Sequence, residues 1–203
     1  MNGPTLAVWT VGHSNHPIER FVELLVGAGI TAVADVRSRP WSRRHPQFNR
    51  EVLASSLKDA GIAYVFLGAE LGARATDPAA WHDGRVDYER LAATTTFLSG
   101  LDRVAAGATT HRIALMCAER EPFDCHRAIL VSRHLSARGV AVTHLLPGGE
   151  QEQHAELERR LLAQTGEAAD LLTGETDALA RAYARRGREL AWSGGKPTKS
   201  TAT

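Results

Sequence analysis

Two groups of residues carry side chains able to do chemistry. The first holds the chain's two cysteines, Cys117 and Cys125, with Glu119 between them and His126 and Arg127 directly after the second. A thiolate is the reactive and metal-binding form of cysteine, and a helix N-terminus beside histidine or arginine favours it. Cys125 with His126 and Arg127 is such company, so either cysteine can act as nucleophile with the other resolving or supporting it. Metal binding is the alternative: Cys117, Cys125, His126 and, from a separate turn, His13 would favour zinc or iron. No cofactor is required by the spacing, and both cysteines can also be read as small buried hydrophobes. Spacing removes two reactions. A phosphatase-type loop needs arginine six positions after the cysteine, where this chain has Phe123, and a thioredoxin-type pair has two intervening residues where this chain has seven.

The second group is a Pro-broken loop over residues 37–50, RSRPWSRRHPQFNR, with five arginines and no acid. Arg37, Arg39, Arg43, Arg44 and Arg50 can make bidentate contacts to phosphate or carboxylate, and Trp41 and Phe48 offer faces on which a base can stack. Ser38, Ser42, Asn49 and, from the next strand, Tyr64 are further candidates for holding substrate. The competing reading is a solvated loop that pairs with Glu51 and Asp59. Asp35, Glu70 and His13 can serve as acid, base or orienting groups, although Asp35 beside Arg37 also reads as a structural ion pair. The turn GHSNHP, residues 12–17, lacks the Gly-x-Gly-x-x-Gly spacing of a dinucleotide site.

These residues need elements to position them. Short apolar runs at residues 6–11, 31–36, 62–67, 113–116 and 140–146 read as buried strands, and helical periodicity fills residues 18–29, 51–60, 87–106 and 125–138. Asp124 stands where an N-cap of the last of these helices belongs. Strand and helix alternate, which predicts an α/β fold: an open, mainly parallel five-stranded sheet with helices on both faces. In such a sheet the His13, arginine, Glu70 and cysteine loops all leave carboxyl ends of strands and share one rim, where ligands bind. Residues 1–149 form the α/β domain on this reading. Residues 150–192 form a C-terminal helical extension packed on the core or on a second copy of the chain, and residues 193–203 a flexible tail.

Composition bounds the setting. With 203 residues, a net charge of +1 and two cysteines, the chain can bury a real core without a disulfide framework. No run approaches the roughly 20 apolar residues of a membrane span, so the expected compartment is a reducing cytoplasm.

With the residues laid out, the chain resembles the bacterial and archaeal domain-of-unknown-function family 488. The motifs that carry the resemblance are Thr10-Val11-Gly12-His13-Ser14, Asp35-Val36-Arg37-Ser38 with Pro40 and Ser42, Phe48-Asn49, Tyr64 with Leu67-Gly68 and Leu71-Gly72, Cys117-Ala118-Glu119 through Cys125-His126-Arg127, and Ala182-Tyr183. They run in order from residue 6 to about residue 192. Ala73 departs from the second glycine often seen in the family after Leu71. The resemblance marks the paired cysteines, His126, Arg127, Asp35, Arg37 and Ser38 as hallmarks without supplying a reaction. The expected function is an enzyme with a cysteine-containing site acting on an anionic substrate: a nucleotide, nucleic-acid end or modified base. The alternative is a non-catalytic nucleic-acid- or protein-binding module whose cysteines are structural or hold an ion.

Overall fold

A computed structural model describes residues 6–168 and 174–194. Five parallel strands, β1 (Ala7–Gly12), β2 (Ala32–Asp35), β3 (Ala63–Phe66), β6 (Ile113–Cys117) and β7 (Ala141–Leu145), form one sheet with a sixth, antiparallel strand, β8 (Gln151–Gln153). The order is β3-β2-β6-β1-β7-β8. A second, two-stranded sheet pairs β4 (Trp81–His82) with β5 (Arg85–Val86) inside the stretch that reads as irregular from sequence.

The central parallel strands are apolar because both faces are covered, whereas β3, at the sheet edge, is at most half-buried. Alternation in β6 shows it: Ile113, Leu115 and Cys117 join one core, and Ala114 and Met116 join the other. The second core packs α1 (Ile18–Gly27) and α2 (Arg50–Asp59) through Phe21, Leu25, Leu53 and Leu57. The first packs α3 (Gly68–Leu71), α4 (Tyr88–Ala92), α5 (Thr95–Gly107) and the helix after β6. It also packs α7 (His154–Thr165) and α8 (Glu175–Leu190), through Leu157, Leu161, Ala182 and Tyr183. The C-terminal helices thus bury apolar residues against their own chain's sheet.

Several boundaries differ from the sequence reading. The sheet has six strands rather than five, since β8 adds to the β7 edge just before α7, where helix was expected from residue 150. The helix expected over residues 87–106 is two helices, because Thr94 breaks it and caps α5 by accepting from the Phe97 N–H. Ser193 pairs with Arg85 in an isolated bridge, so the expected tail is anchored at its first residue, while residues 195–203 lie outside the described residues. No helix of the described residues is long and apolar enough to cross a membrane.

Strand order sets the crevice. The chain leaves β2 toward β3 at one edge and leaves β6 toward β7 at the other, so connections diverge between these neighbours. Divergence of this kind opens a ligand crevice outside the carboxyl ends. The β2 end leads into Arg37 and the β6 end into Cys117.

Away from that crevice a buried polar chain ties α7 and α8 to the sheet. Thr10 donates to His144 Nδ1 at 2.8 Å, His144 Nε2 to His154 Nδ1 at 3.0 Å, His154 Nε2 to the Tyr183 hydroxyl at 3.0 Å, and Tyr183 to Glu158 at 2.9 Å. Each neutral imidazole donates once and accepts once, which satisfies the chain only while both stay uncharged. Burial lowers the His154 pKa to about 4. The unfolded chain takes up that proton near pH 6.5 and the folded chain does not, so this stability is complete above pH 6.5 and lost as pH falls toward 4. Urea unfolding at pH 7.5 and 4.5 should show about 2–3 kcal/mol lost through His154. His154→Gln should shallow this slope, and an unchanged slope would assign the titration elsewhere.

Candidate functional site

The cysteine loop is built from both ends. β6 delivers Cys117, and β1 continues to hold the chain beyond it: the His13 N–H donates to the Cys117 carbonyl at 2.9 Å and the Ser14 N–H to the Ala118 carbonyl at 3.0 Å. Gly12 permits this, since a Cβ there would lie 2.0 Å from the Glu119 carbonyl oxygen. After a 3-10 turn at Pro122–Asp124, Cys125 is extended, with φ −138° and ψ 139°. Its carbonyl accepts the first helical bonds, from the Ala128 and Ile129 N–H groups, both at 3.1 Å. Its sulfur accepts from the Arg127 N–H at 3.4 Å. Cys125 therefore occupies the N-cap position expected for Asp124, and Asp124 instead pairs with Arg186 of α8.

The helix that follows is a π-helix over Arg127–Ser132 before it tightens into α6 (Arg133–Ser136). Ser132 Oγ donates to the Arg127 carbonyl at 2.7 Å, supporting the wide turn. π-Helical turns recur at functional sites, where the extra residue re-aims side chains.

Four side chains converge here. The ligand atoms of Cys117, Glu119, Cys125 and His126 lie within 4.8 Å of one another. His126 Nε2 meets the Val36 carbonyl at 3.0 Å, which places Nδ1 3.6 Å from Cys117 Sγ and 3.9 Å from Cys125 Sγ. Cys125 Sγ and Glu119 Oε2 are 3.0 Å apart and share one hydrogen. Arg127, fully buried, donates to the Glu119 carbonyl at 2.7 Å and the Arg120 carbonyl at 3.1 Å, while its Nε has no partner among the described residues.

The two thiols are unlike. Burial and the adjacent Cys125 hold Cys117 well above the usual thiol range. Burial pushes Cys125 the same way but is outweighed by the Cys117 hydrogen bond, the Arg127 charge and His126, which bring it well below. Burial would lower His126, yet its bond to Cys125 raises it, and burial with the Cys125 charge raises Glu119.

His13, Asp35 and Arg37 form a second, adjoining cluster. Asp35, fully buried, accepts from Arg37 Nε at 2.9 Å, Arg37 Nη2 at 2.6 Å, the Arg37 N–H at 3.1 Å and the Tyr64 hydroxyl at 2.8 Å. Arg37 also donates to the Phe48 carbonyl at 2.9 Å and to His13 Nε2 at 3.2 Å. His13 Nδ1 bonds the Ser14 carbonyl at 2.9 Å and its ring stacks on Phe48 at 4.2 Å. Burial and the Arg37 charge lower the His13 pKa to about 4. With both ring nitrogens engaged, His13 stands apart from the sulfur cluster, and Glu119 takes the place that the sequence reading gave it among metal-ligating groups.

The rest of the arginine loop divides by burial. Phe48 is buried core and offers no face to a base, whereas Trp41 is 64% exposed. Ser42 and Asn49 shape the loop: Asn49 Oδ1 accepts from the Ser42 N–H at 2.7 Å and Ser42 Oγ from the His45 N–H at 3.1 Å. Arg43 and Arg44 are exposed, Arg50 lies over the Phe66 ring at 4.8 Å, and Glu70 pairs with Arg103.

A cavity of about 250 Å³ is lined by Arg37 of the second cluster, with Ser38, Arg39 and Arg74, and by Cys117, Glu119 and His126 of the first. Tyr88 and Trp192 complete it, and Cys125 is not on its wall. A groove of about 700 Å³ continues past Arg39 and Arg74 to Trp81 and Trp192, whose rings meet edge to face at 5.4 Å. Arg74, Tyr88, Trp81 and Trp192 were missed by sequence reasoning, because only tertiary packing brings them to the rim.

The family described as "Domain of unknown function DUF488" matches residues 17–134, more than half of the chain, and the chain belongs to it. No curated protein and no solved structure gives a match.

Because each Asp35 oxygen already accepts two hydrogen bonds, from Arg37 and Tyr64, its first role is to hold the Arg37 guanidinium. Removing one partner of a buried pair leaves an uncompensated charge at a cost of about 3–5 kcal/mol. Asp35→Asn should therefore lower stability by about that amount in denaturant titration. Stability equal to the parent protein would show that Asp35 is not committed to structure.

Proposed function

We propose that this protein is an enzyme acting on an anionic substrate, of the nucleotide or nucleic-acid-end class, at the cavity between β2 and β6. The reading is carried by one observation: Arg39 and Arg74 line the same cavity as Cys117, Glu119 and His126. Guanidinium groups bind phosphate oxygens in pairs, and aromatic faces stack bases without regard to sequence. Arg74, held over the Trp192 ring at 5.6 Å, joins both functions in the groove. A substrate anchored by its phosphate on Arg39 and Arg74 would present its neighbouring atoms to a thiol, a carboxyl and an imidazole. Arg37, already engaged with Asp35 and His13, acts mainly as the fixed wall of this pocket.

The non-catalytic binding module is supported by a different surface. Trp41, Arg43 and Arg44 stand on the exposed outer part of the loop, off the cavity wall. The two readings separate by mutation. Binding of nucleotides and short oligonucleotides, followed through tryptophan fluorescence, should weaken about 10-fold or more in Arg39→Ala/Arg74→Ala and fall with salt. Turnover should vanish in Cys117→Ser and in Cys125→Ser with the fold intact. Binding lost only in Arg43→Ala/Arg44→Ala, with no turnover in any protein, would support the module instead.

A further inference from the structure

We propose that Cys117, Cys125, His126 and Glu119 hold one zinc ion, through the two sulfurs, imidazole Nδ1 and a carboxylate oxygen, with Glu119 as the displaceable ligand facing the cavity. The inference shares its site with the proposed enzyme but does not depend on that enzyme's substrate.

Geometry carries it. In a tetrahedral zinc site, metal bonds to sulfur and nitrogen put those two atoms about 3.5 Å apart. His126 Nδ1 lies 3.6 and 3.9 Å from the two sulfurs, and all four ligand atoms fall within 4.8 Å of one another. The imidazole is oriented as metal-binding histidines are, with its far nitrogen on the Val36 carbonyl at 3.0 Å, which fixes the tautomer that leaves Nδ1 free to coordinate. Two sulfurs, one nitrogen and one carboxylate form a donor set of borderline softness, which suits zinc.

Charge points the same way. Two thiolates and a carboxylate around a divalent ion leave a net charge of −1. The buried Arg127 guanidinium, bonded to backbone carbonyls and not to a carboxylate, supplies the compensating +1 beside it. On coordination each thiol releases its proton to solvent, and no electrons are transferred.

Exposure distinguishes the fourth ligand. Cys117, Cys125 and His126 are buried, whereas Glu119 is exposed as a residue and lines the cavity. Water or a substrate oxygen can therefore replace its carboxylate without disturbing the other three. Cys125, off the cavity wall, is better placed to anchor an ion from behind than to attack a substrate.

The test is metal content and spectroscopy, read without substrate. Reduced protein purified without an affinity tag should carry near-stoichiometric zinc by elemental mass spectrometry. The metal-free protein should take up cobalt(II) with a thiolate-to-cobalt charge-transfer band and the visible bands of a tetrahedral site. Glu119→Gln should keep the thiolate band and weaken zinc binding about 10-fold against a chromophoric chelator. Cys117→Ser and Cys125→Ser should each lose the band, with circular dichroism reporting whether each folds. If the folded wild-type chain takes up neither ion, or binds zinc with no thiolate band for cobalt, the proposal is overturned. Stoichiometric iron that zinc does not displace would overturn the choice of ion. Stoichiometric zinc in a wild-type chain that binds no nucleotide or oligonucleotide would fail the proposed substrate alone and uphold the metal site.

Discussion

The arrangement around the cysteines depends on where the Arg127 guanidinium is held. It sits in the first turn of the helix after β6 and reaches back to the carbonyls of Glu119 and Arg120, joining the two ends of the loop it closes. A buried guanidinium remains protonated at any relevant pH, so its desolvation must be met by hydrogen bonds and by negative charge nearby. The carbonyls provide the first and the thiol cluster provides the second. This one side chain accordingly fixes Cys117 and Glu119, at the strand end, relative to Cys125 and His126, at the helix start. Its charge adds to the Cys117 hydrogen bond in displacing Cys125 toward its ionised form against the effect of burial.

Arg37 solves the same desolvation problem differently. Its charge is met by the Asp35 carboxylate, and its remaining donors go to His13 and Phe48, so the β1, β2 and arginine loops are locked together. Backbone approach then replaces side chains as the spacer. At Gly68 a Cβ would lie 1.9 Å from the Arg37 carbonyl oxygen, so the loop after β3 can close on the same point only without one. Two buried arginines, one paired with a carboxylate and one bonded to backbone carbonyls beside the sulfurs, thereby shape the loops around a crevice whose wall also carries Arg39 and Arg74.

Much of this was legible in the sequence, for reasons that can be named. The central parallel strands announced themselves as apolar runs because both their faces are covered, and loops at the carboxyl ends of the sheet had to share a rim. The edge strand β8, Gln-Glu-Gln, carried no apolar signal, because an edge strand with one partner can be polar throughout. The β4–β5 hairpin did carry one. Asp83-Gly84, with φ of 47° and 73°, is the two-residue turn favoured in hairpins and was readable between Trp81-His82 and Arg85-Val86. Site geometry was less accessible. Glu119 was readable as a candidate by its place between the cysteines, but nothing in its spacing said that it would displace His13 from their company. That outcome follows from β-strand parity: Cys117 points to the face of the π-helix, whereas His13, like Val11 before it, lies toward Phe48 on the opposite face.

Parity also explains why the C-terminal helices belong to the site. The Cys117 face of the sheet is covered by the π-helix, α4 and α8, and their ends rise beyond the strands to form the cavity's outer wall. Arg186 of α8 joins the cysteine loop through Asp124, the Phe123 carbonyl at 3.3 Å and the Phe123 ring at 4.6 Å, and Trp192 closes over Arg74. The position of that outer wall is tied to the loop that holds Cys125 at its helix start. Asp124 stands next to Cys125 in the chain and its partner, Arg186, lies six residues before Trp192, so one ion pair ties the last part of α8 to the start of the π-helix.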